Sequence, residues 1–315
     1  MTGHVLTFGE TMGLFRAADV GSLADVHEAR IGTGGADSNV AIGLSRLGVP
    51  AVWVGRVGDD GLGRRVLRDL RGEGVEVRAI VDGGAPTGLM VKEKPLPHRT
   101  RVSFYRSGSA GSRLRPEDVD ARLVQSAALV HITGITASIS TSARETVRSV
   151  LAVARSAGVP VSFDVNHRSA LWREGDPALV YRELASAADV VFAGEDEAAM
   201  LVGGDADPQR LLEAMLALGP STAVLKRGEL GSMASEGGAV VESPALPVPV
   251  VDTVGAGDAF VAGFLAGRLQ GEDLAGSLRL ATAAGAFACM GSGDWESSPR
   301  AADLALLEGT EPVSR

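Results

Sequence analysis

Six short runs, Val5–Phe8, Ala51–Val54, Leu129–Ile132, Val159–Phe163, Val190–Phe192 and Thr222–Leu225, are almost continuously apolar and rich in valine and isoleucine. A strand with one wet face alternates apolar and polar residues. A strand lacking that alternation is buried on both faces, as in parallel sheets covered by helices. Between these runs lie helical segments such as Asn39–Leu47, Ser142–Ala157 and Pro208–Ala217. In the first, Val40, Leu44 and Leu47 fall on one stripe, and Gly48 follows as a helix stop. The alternation predicts an α/β fold, a doubly wound and mostly parallel sheet with helices on both faces. A length of 315 residues suits a single domain, 1–315, with a large core.

Two stretches break the rhythm, Thr11–Ile31 and Thr87–Arg106. In the second, Val102, Phe104 and Arg106 should face one way on a strand, and Arg101, Ser103 and Tyr105 the other. A cation in line with apolar residues suits a surface that covers a ligand. It suits a solvated edge hairpin equally well. The polar tail after Gly293 is expected to be loosely held.

A formal net charge of −9 disfavours nucleic acid and anionic membrane surfaces as main partners. The single cysteine, Cys289, permits no intramolecular disulfide and no zinc site, so a reducing, cytoplasmic setting is expected. Met1–Glu10 lacks the basic and apolar segments of a signal peptide, and no apolar run is long enough for a membrane span.

The chemistry concentrates in Asp252-Thr253-Val254-Gly255-Ala256-Gly257-Asp258-Ala259-Phe260, between an extended run, Leu246–Val251, and a helix expected over Ala259–Leu269. A glycine-rich turn entering a helix offers unpaired N–H groups and the positive end of a dipole, which together hold an anion. Asp258 in the first turn is either a carboxylate that stabilises the dipole or a general base beside the anion hole. Ala259, Gly263 and Gly267 recur every four residues, so close packing of this helix against the sheet is expected. A dinucleotide fingerprint is disfavoured because Phe260 stands where the third glycine is needed, and no P-loop string occurs.

This segment resembles the C-terminal signature of the ribokinase (PfkB) family of carbohydrate kinases. The N-terminal signature is also recognisable in Gly34-Gly35-Ala36-Asp37-Ser38-Asn39-Val40-Ala41, Leu47-Gly48, Gly55 and Gly58-Asp59-Asp60-Gly61-Leu62-Gly63. The likeness runs from Thr7-Phe8-Gly9-Glu10 to about Gly293. It implies a ribokinase-like sheet with a small β-sheet lid built from residues 11–31 and 87–106. It also implies ATP and Mg²⁺ as cofactors, with a monovalent cation as a further candidate, a small sugar or sugar acid as substrate, and a homodimer or higher homo-oligomer.

The resemblance further implies Asp258 as the base, with Gly255, Ala256 and Gly257 forming the anion hole. Gly34, Gly35 and Asn39 would line the sugar site. Three segments are similar to the branch acting on 2-keto-3-deoxygluconate: Tyr105–Ala110, His131–Ile135 and Phe163–Arg168 followed by Ala170-Leu171-Trp172. On that likeness Arg106 would hold a carboxylate, and Arg168 would lie between substrate and nucleotide phosphates, beside Asn166. A guanidinium is a two-pronged donor suited to either anion. Lys226, Gly228 and Gly231 resemble a nucleotide-phosphate loop. Ala284, in a helix expected over Thr282–Met290, would border the adenine, though close helix packing explains its size equally. Glu197 aligns with a magnesium-linked acid, but Gly194 replaces the usual asparagine, and an ordinary acidic helix turn fits as well. Met90 and Phe104 occupy lid positions where this branch carries tyrosines, so both substrate positions lack a hydroxyl. The rival readings are a kinase of the same family for another sugar or nucleoside, such as fructose or ribose, and a non-catalytic sugar-acid-binding regulator.

Overall fold

The computed structural model describes residues 3–96, 99–172, 175–204 and 207–307. Its strands are β1 (Val5–Phe8), β2 (Met12–Val20), β3 (Ala29–Gly34), β4 (Ala51–Gly58), β5 (Glu76–Asp82), β6 (Leu89–Leu96), β7 (Arg99–Tyr105), β8 (Leu129–Thr133), β9 (Val161–Asp164), β10 (Val190–Gly194), β11 (Thr222–Lys226), β12 (Ser232–Glu236) and β13 (Ala239–Ser243). Nine form one sheet in the order β13-β12-β11-β10-β9-β8-β1-β4-β5. Pairing is parallel from β11 to β5. The pairs β11–β12 and β12–β13 are antiparallel, so β12 runs against the other strands in a hairpin with β13 at one edge. The six apolar runs all became adjacent strands of this sheet, in its parallel part.

Their lack of alternation has the expected cause. Val5 packs into one apolar layer, with Trp53, Phe192 and Phe264, while Leu6 and Phe8 pack into the opposite layer, with Ile132, Phe163 and Tyr181. Burying one such side chain contributes roughly 1.5–3 kcal/mol. The helices begin and end where their residues dictate. Ser140 accepts a hydrogen bond from the Ala143 amide at 3.1 Å to start Thr141–Ala157, and Gly158 closes it in a left-handed conformation, φ +66°.

The two irregular stretches form a second sheet, order β3-β2-β6-β7, with β2 and β6 parallel and the other pairs antiparallel. It is a lid with a small apolar face of Met12, Leu14 and Met90 against Val102. The solvated-hairpin alternative for 87–106 is therefore set aside.

Two expectations change. The small residues of the Ala256–Gln270 helix face a neighbouring helix, not the sheet: Gly263 abuts Leu280, Ala281 and Ala284, and Gly267 abuts Ser277, all of Leu274–Cys289. The described part of the segment after Gly293 is also not loose, while residues 308–315 lie outside the described residues. Arg46 donates to the carbonyls of Trp295, Glu296 and Ser298, and the Trp295 indole donates to the Thr33 carbonyl at 2.9 Å. Among the described residues, no helix is long and apolar enough to cross a membrane.

Candidate active site

Parallel sheets leave a crevice beyond the carboxyl ends of their strands. Here a cleft of about 1700 Å³ opens there, roofed by the lid. Lid residues Met12, Met90, Val102, Phe104 and Arg106 line it, as do Asn166, Arg168, Lys226 and Gly228 beyond the ends of β9 and β11. Gly35, Asn39, Gly255, Gly257 and Asp258 also line the cleft.

Asp258 is the third residue of the Ala256–Gln270 helix, which starts three residues earlier than expected. Its Oδ2 accepts from Asn39 Nδ2 at 2.8 Å, and its Oδ1 faces Asn166 Nδ2 at 3.4 Å. One carboxylate is thus oriented by amides from two different walls of the cleft. Burial pushes this carboxyl up to about 7, against the pull of the Asn39 bond; Asp164 and Asp294 push the same way. Asn166 reaches it through a left-handed backbone, φ +39°, which asparagine tolerates better than most residues.

Gly255 caps the helix with φ +81°, and a Cβ there would overlap the carbonyl of Asp294. No side chain fits between these two segments, so the turn is held close against the 294 loop. The Ala256 amide donates to the Thr253 carbonyl at 3.2 Å and is already occupied. Ala256 is also absent from the cleft wall. Among the described residues, the amides of Gly255, Gly257 and Asp258 have no such partner. The amides of this turn left free to meet a ligand are therefore those three, whereas Ala256, expected among them, has its amide engaged.

Lys226 Nζ pairs with both oxygens of Asp164, at 2.7 and 2.9 Å, and stands 3.9 Å from where a Gly257 Cβ would be. Burial opposes its charge, but the Asp164 and Glu197 carboxylates outweigh that and hold Lys226 above its usual value. Arg168 is exposed, donates to its neighbour's carbonyl and keeps donors free. Gly228 lines the cleft, whereas Gly231, φ +88°, is a turn residue packed on the Ser243 carbonyl. Ala284 is buried against Gly263 and does not line the cleft, in keeping with the helix-packing alternative. Gly34 lies just behind the wall, between the Asp294 carboxylate and Met90. Glu197 lines the cleft, and its two oxygens accept from the Gly194 and His167 amides, each at 2.7 Å. Among the described residues, no group of three or more His, Cys, Asp or Glu is placed to hold a metal.

Three acids escaped the sequence reading. Glu10 is buried at the lid hinge and pairs with Arg106, while Ser109 Oγ also donates to it. Asp294 lines the cleft, shares Asn39 with Asp258 at 3.4 Å, and is pushed by burial up to about 6, against the nearby Lys92 ammonium. Asp37, two residues before Asn39 in the same helix, is buried, accepts from Thr136 and Thr133 at 2.7 and 3.2 Å, and is raised by burial to about 7. Asp37 stood inside the N-terminal signature. Asp294 lay just past the end of the likeness, where nothing local marked it.

Residues 2–301 match the model of the pfkB family carbohydrate kinases. The chain belongs to that family. It is 35% identical over 305 residues to 2-dehydro-3-deoxygluconokinase of Bacillus subtilis, covering 95% of this chain and 94% of that one. It is 34% identical over 289 residues to 2-dehydro-3-deoxygalactonokinase of Haloferax volcanii, covering 91% of each. Among solved structures, fructokinase from Xylella fastidiosa with bound ATP superposes with a TM-score of 0.86 at 26% identity, covering 98% of both chains. The pfkB chain described here is thus an ATP-dependent carbohydrate kinase with the lid and parallel sheet its signatures implied.

Proposed function

We propose that this kinase transfers the γ-phosphate of ATP to a hydroxyl of a 2-keto-3-deoxy sugar acid, with 2-keto-3-deoxygluconate as the preferred acceptor. The observation that carries the mechanism is the placement of Asp258, bonded by Asn39 from the lid side and by Asn166 from the side of Arg168 and Lys226. The acceptor binds under the lid against Gly35, Asn39, Met90 and Phe104, with Gly34 behind them. Asp258 takes the hydroxyl proton as that oxygen attacks the γ-phosphorus, and the bond to the β-phosphate oxygen breaks to release ADP. The amides of Gly255, Gly257 and Asp258, at a helix N-terminus, receive the charge on the transferring group.

Arg168, Lys226, Gly228 and Asn166 form the nucleotide side. Glu197, which lines the cleft, would hold Mg²⁺ through water, and the ion would neutralise phosphate charge. Arg106 favours an acid acceptor, in line with the sugar-acid kinases to which the chain is similar. A neutral sugar is the second reading. It is favoured by the pairing of Arg106 with Glu10, and by Met90 and Phe104, which bring no hydroxyl. A reducing cytoplasm suits the free Cys289. The exposed lid residues Val20, Leu23, Ile31, Leu96 and Tyr105 suit packing against a second copy.

The test is a panel of 2-keto-3-deoxygluconate, its galactose epimer, fructose and ribose, read by coupled ADP release. The highest kcat/KM is expected for 2-keto-3-deoxygluconate. A higher kcat/KM for fructose or ribose would overturn the assignment.

A further inference from the structure

Lys92 is a buried cation outside the cleft. It lies on β6, two residues after Met90, with its side chain only 1% exposed. Its Nζ stands 2.5 Å from Asp252 Oδ2 and donates to the Gly293 carbonyl at 2.8 Å. Both oxygens belong to segments that support the anion-binding turn. Asp252 begins it, and its Oδ1 accepts the Val254 amide at 3.3 Å. Gly293 precedes Asp294, whose carbonyl packs on Gly255. Two residues further along β6, Lys94 Nζ donates to the Val251 carbonyl at 2.9 Å.

A buried carboxylate a few residues from three free amides would weaken their hold on a phosphate unless something neutralised it. The family likeness raised a monovalent cation only as a further candidate cofactor, and neutralising this carboxylate is a role it could fill. Such an ion would have to sit behind the turn, clear of the cleft, on buried carboxylate and carbonyl oxygens. Here the Asp252 carboxylate and the Gly293 carbonyl are already engaged by the lysine ammonium, so the residues do not fit a dissociable ion. We propose that Lys92 is the built-in cation of this kinase. It is a positioning residue, delivered by the lid, that neutralises Asp252 and holds the turn and the 294 loop together, and the enzyme needs no potassium.

This inference rests on reading Gly255–Asp258 as the anion-binding turn, and not on the identity of the sugar. Phosphorylation is measured with whichever acceptor turns over, at constant ionic strength, in potassium, sodium, ammonium or tetramethylammonium chloride. The wild type should vary by less than about twofold among the salts, and its melting temperature should not rise in potassium, as it would for a bound ion. Lys92→Ala should lose about tenfold or more in kcat in tetramethylammonium and recover part of it in potassium or ammonium, which can enter the space left. Lys92→Met fills that space without charge and should lose rate without recovery in any salt. Activation of the wild type by potassium of about tenfold, or a potassium-dependent rise in its melting temperature, would overturn the proposal. So would full activity of Lys92→Met in tetramethylammonium. The wild-type measurements decide even if neither variant folds. Failure of the turn reading is visible separately, as an active Asp258→Asn variant in every salt.

Discussion

Arg106 Nε and Nη2 both meet Oε2 of Glu10, at 2.7 and 2.6 Å, so the lid's arginine is tied to the β1–β2 connection before any acceptor arrives. The pair fixes the direction of the guanidinium, and Nη1 is left for a ligand. A substrate carboxylate there gains a charge-assisted bond of roughly 1.5–3 kcal/mol. Arg106→Ala should therefore raise KM for 2-keto-3-deoxygluconate by about tenfold or more. A neutral sugar should lose much less. Steady-state kinetics on both acceptors check this, and equal losses would remove Arg106 as a carboxylate ligand.

Asp258→Asn should lower kcat by about 10²- to 10⁴-fold, the usual contribution of a positioned base. The same change should stabilise the fold near neutral pH. The folded carboxyl sits at about 7, above its ordinary value of 3.8, so between those values the native state holds a proton that the unfolded chain releases. Stability from this group is present at low pH and falls as pH rises towards 7. The variant should thus be more stable than the wild type at pH 8, by an amount on the order of a few kcal/mol, and the gap should narrow towards pH 5. Thermal denaturation at the two pH values reads this directly.

The pH–rate profile should carry the same signature. Since the base must be ionised, kcat/KM should rise through about pH 7 to a plateau. The Asn39 amide favours the ionised form, so Asn39→Ala should move the midpoint to higher pH. A shift to lower pH would contradict the assigned bond.

Gly255 can be separated from ordinary helix capping by comparison with Gly271 at the other end of the same helix. Both are left-handed, at φ +81° and +93°, but a Cβ at 271 meets open space while one at 255 meets the Asp294 carbonyl. Gly271→Ala should cost roughly 1 kcal/mol with activity retained. Gly255→Ala should cost more and abolish turnover. Chemical denaturation alongside kinetics distinguishes the two.

The parallel strands were legible because burial on both faces leaves a mark in each residue run, as in Val5–Phe8. The hairpin β12–β13 and the edge strand β5 left none. Ser232 and Ser235 are buried polar residues, and Glu76–Asp82 is mostly half-exposed, so neither follows an apolar period. Asp258 and its glycines were readable because a helix N-terminus needs only local sequence. Glu10, Asp294 and Lys92 were not, because each owes its role to a distant partner: Arg106 for Glu10 at 96 positions, Gly293 for Lys92 at 201 and Asn39 for Asp294 at 255. The Ala259, Gly263, Gly267 stripe indicated close packing, yet periodicity alone could not say whether sheet or helix lay opposite.

Asn39 and Asp258 touch across 219 positions of chain. A polypeptide still emerging from the ribosome therefore makes the asparagine of the cleft wall long before the acid it orients. A product halted between residue 39 and the glycine turn carries the asparagine but neither the acid nor the turn's free amides. Termination before residue 258 is thus expected to yield fragments without turnover, not unregulated consumers of ATP.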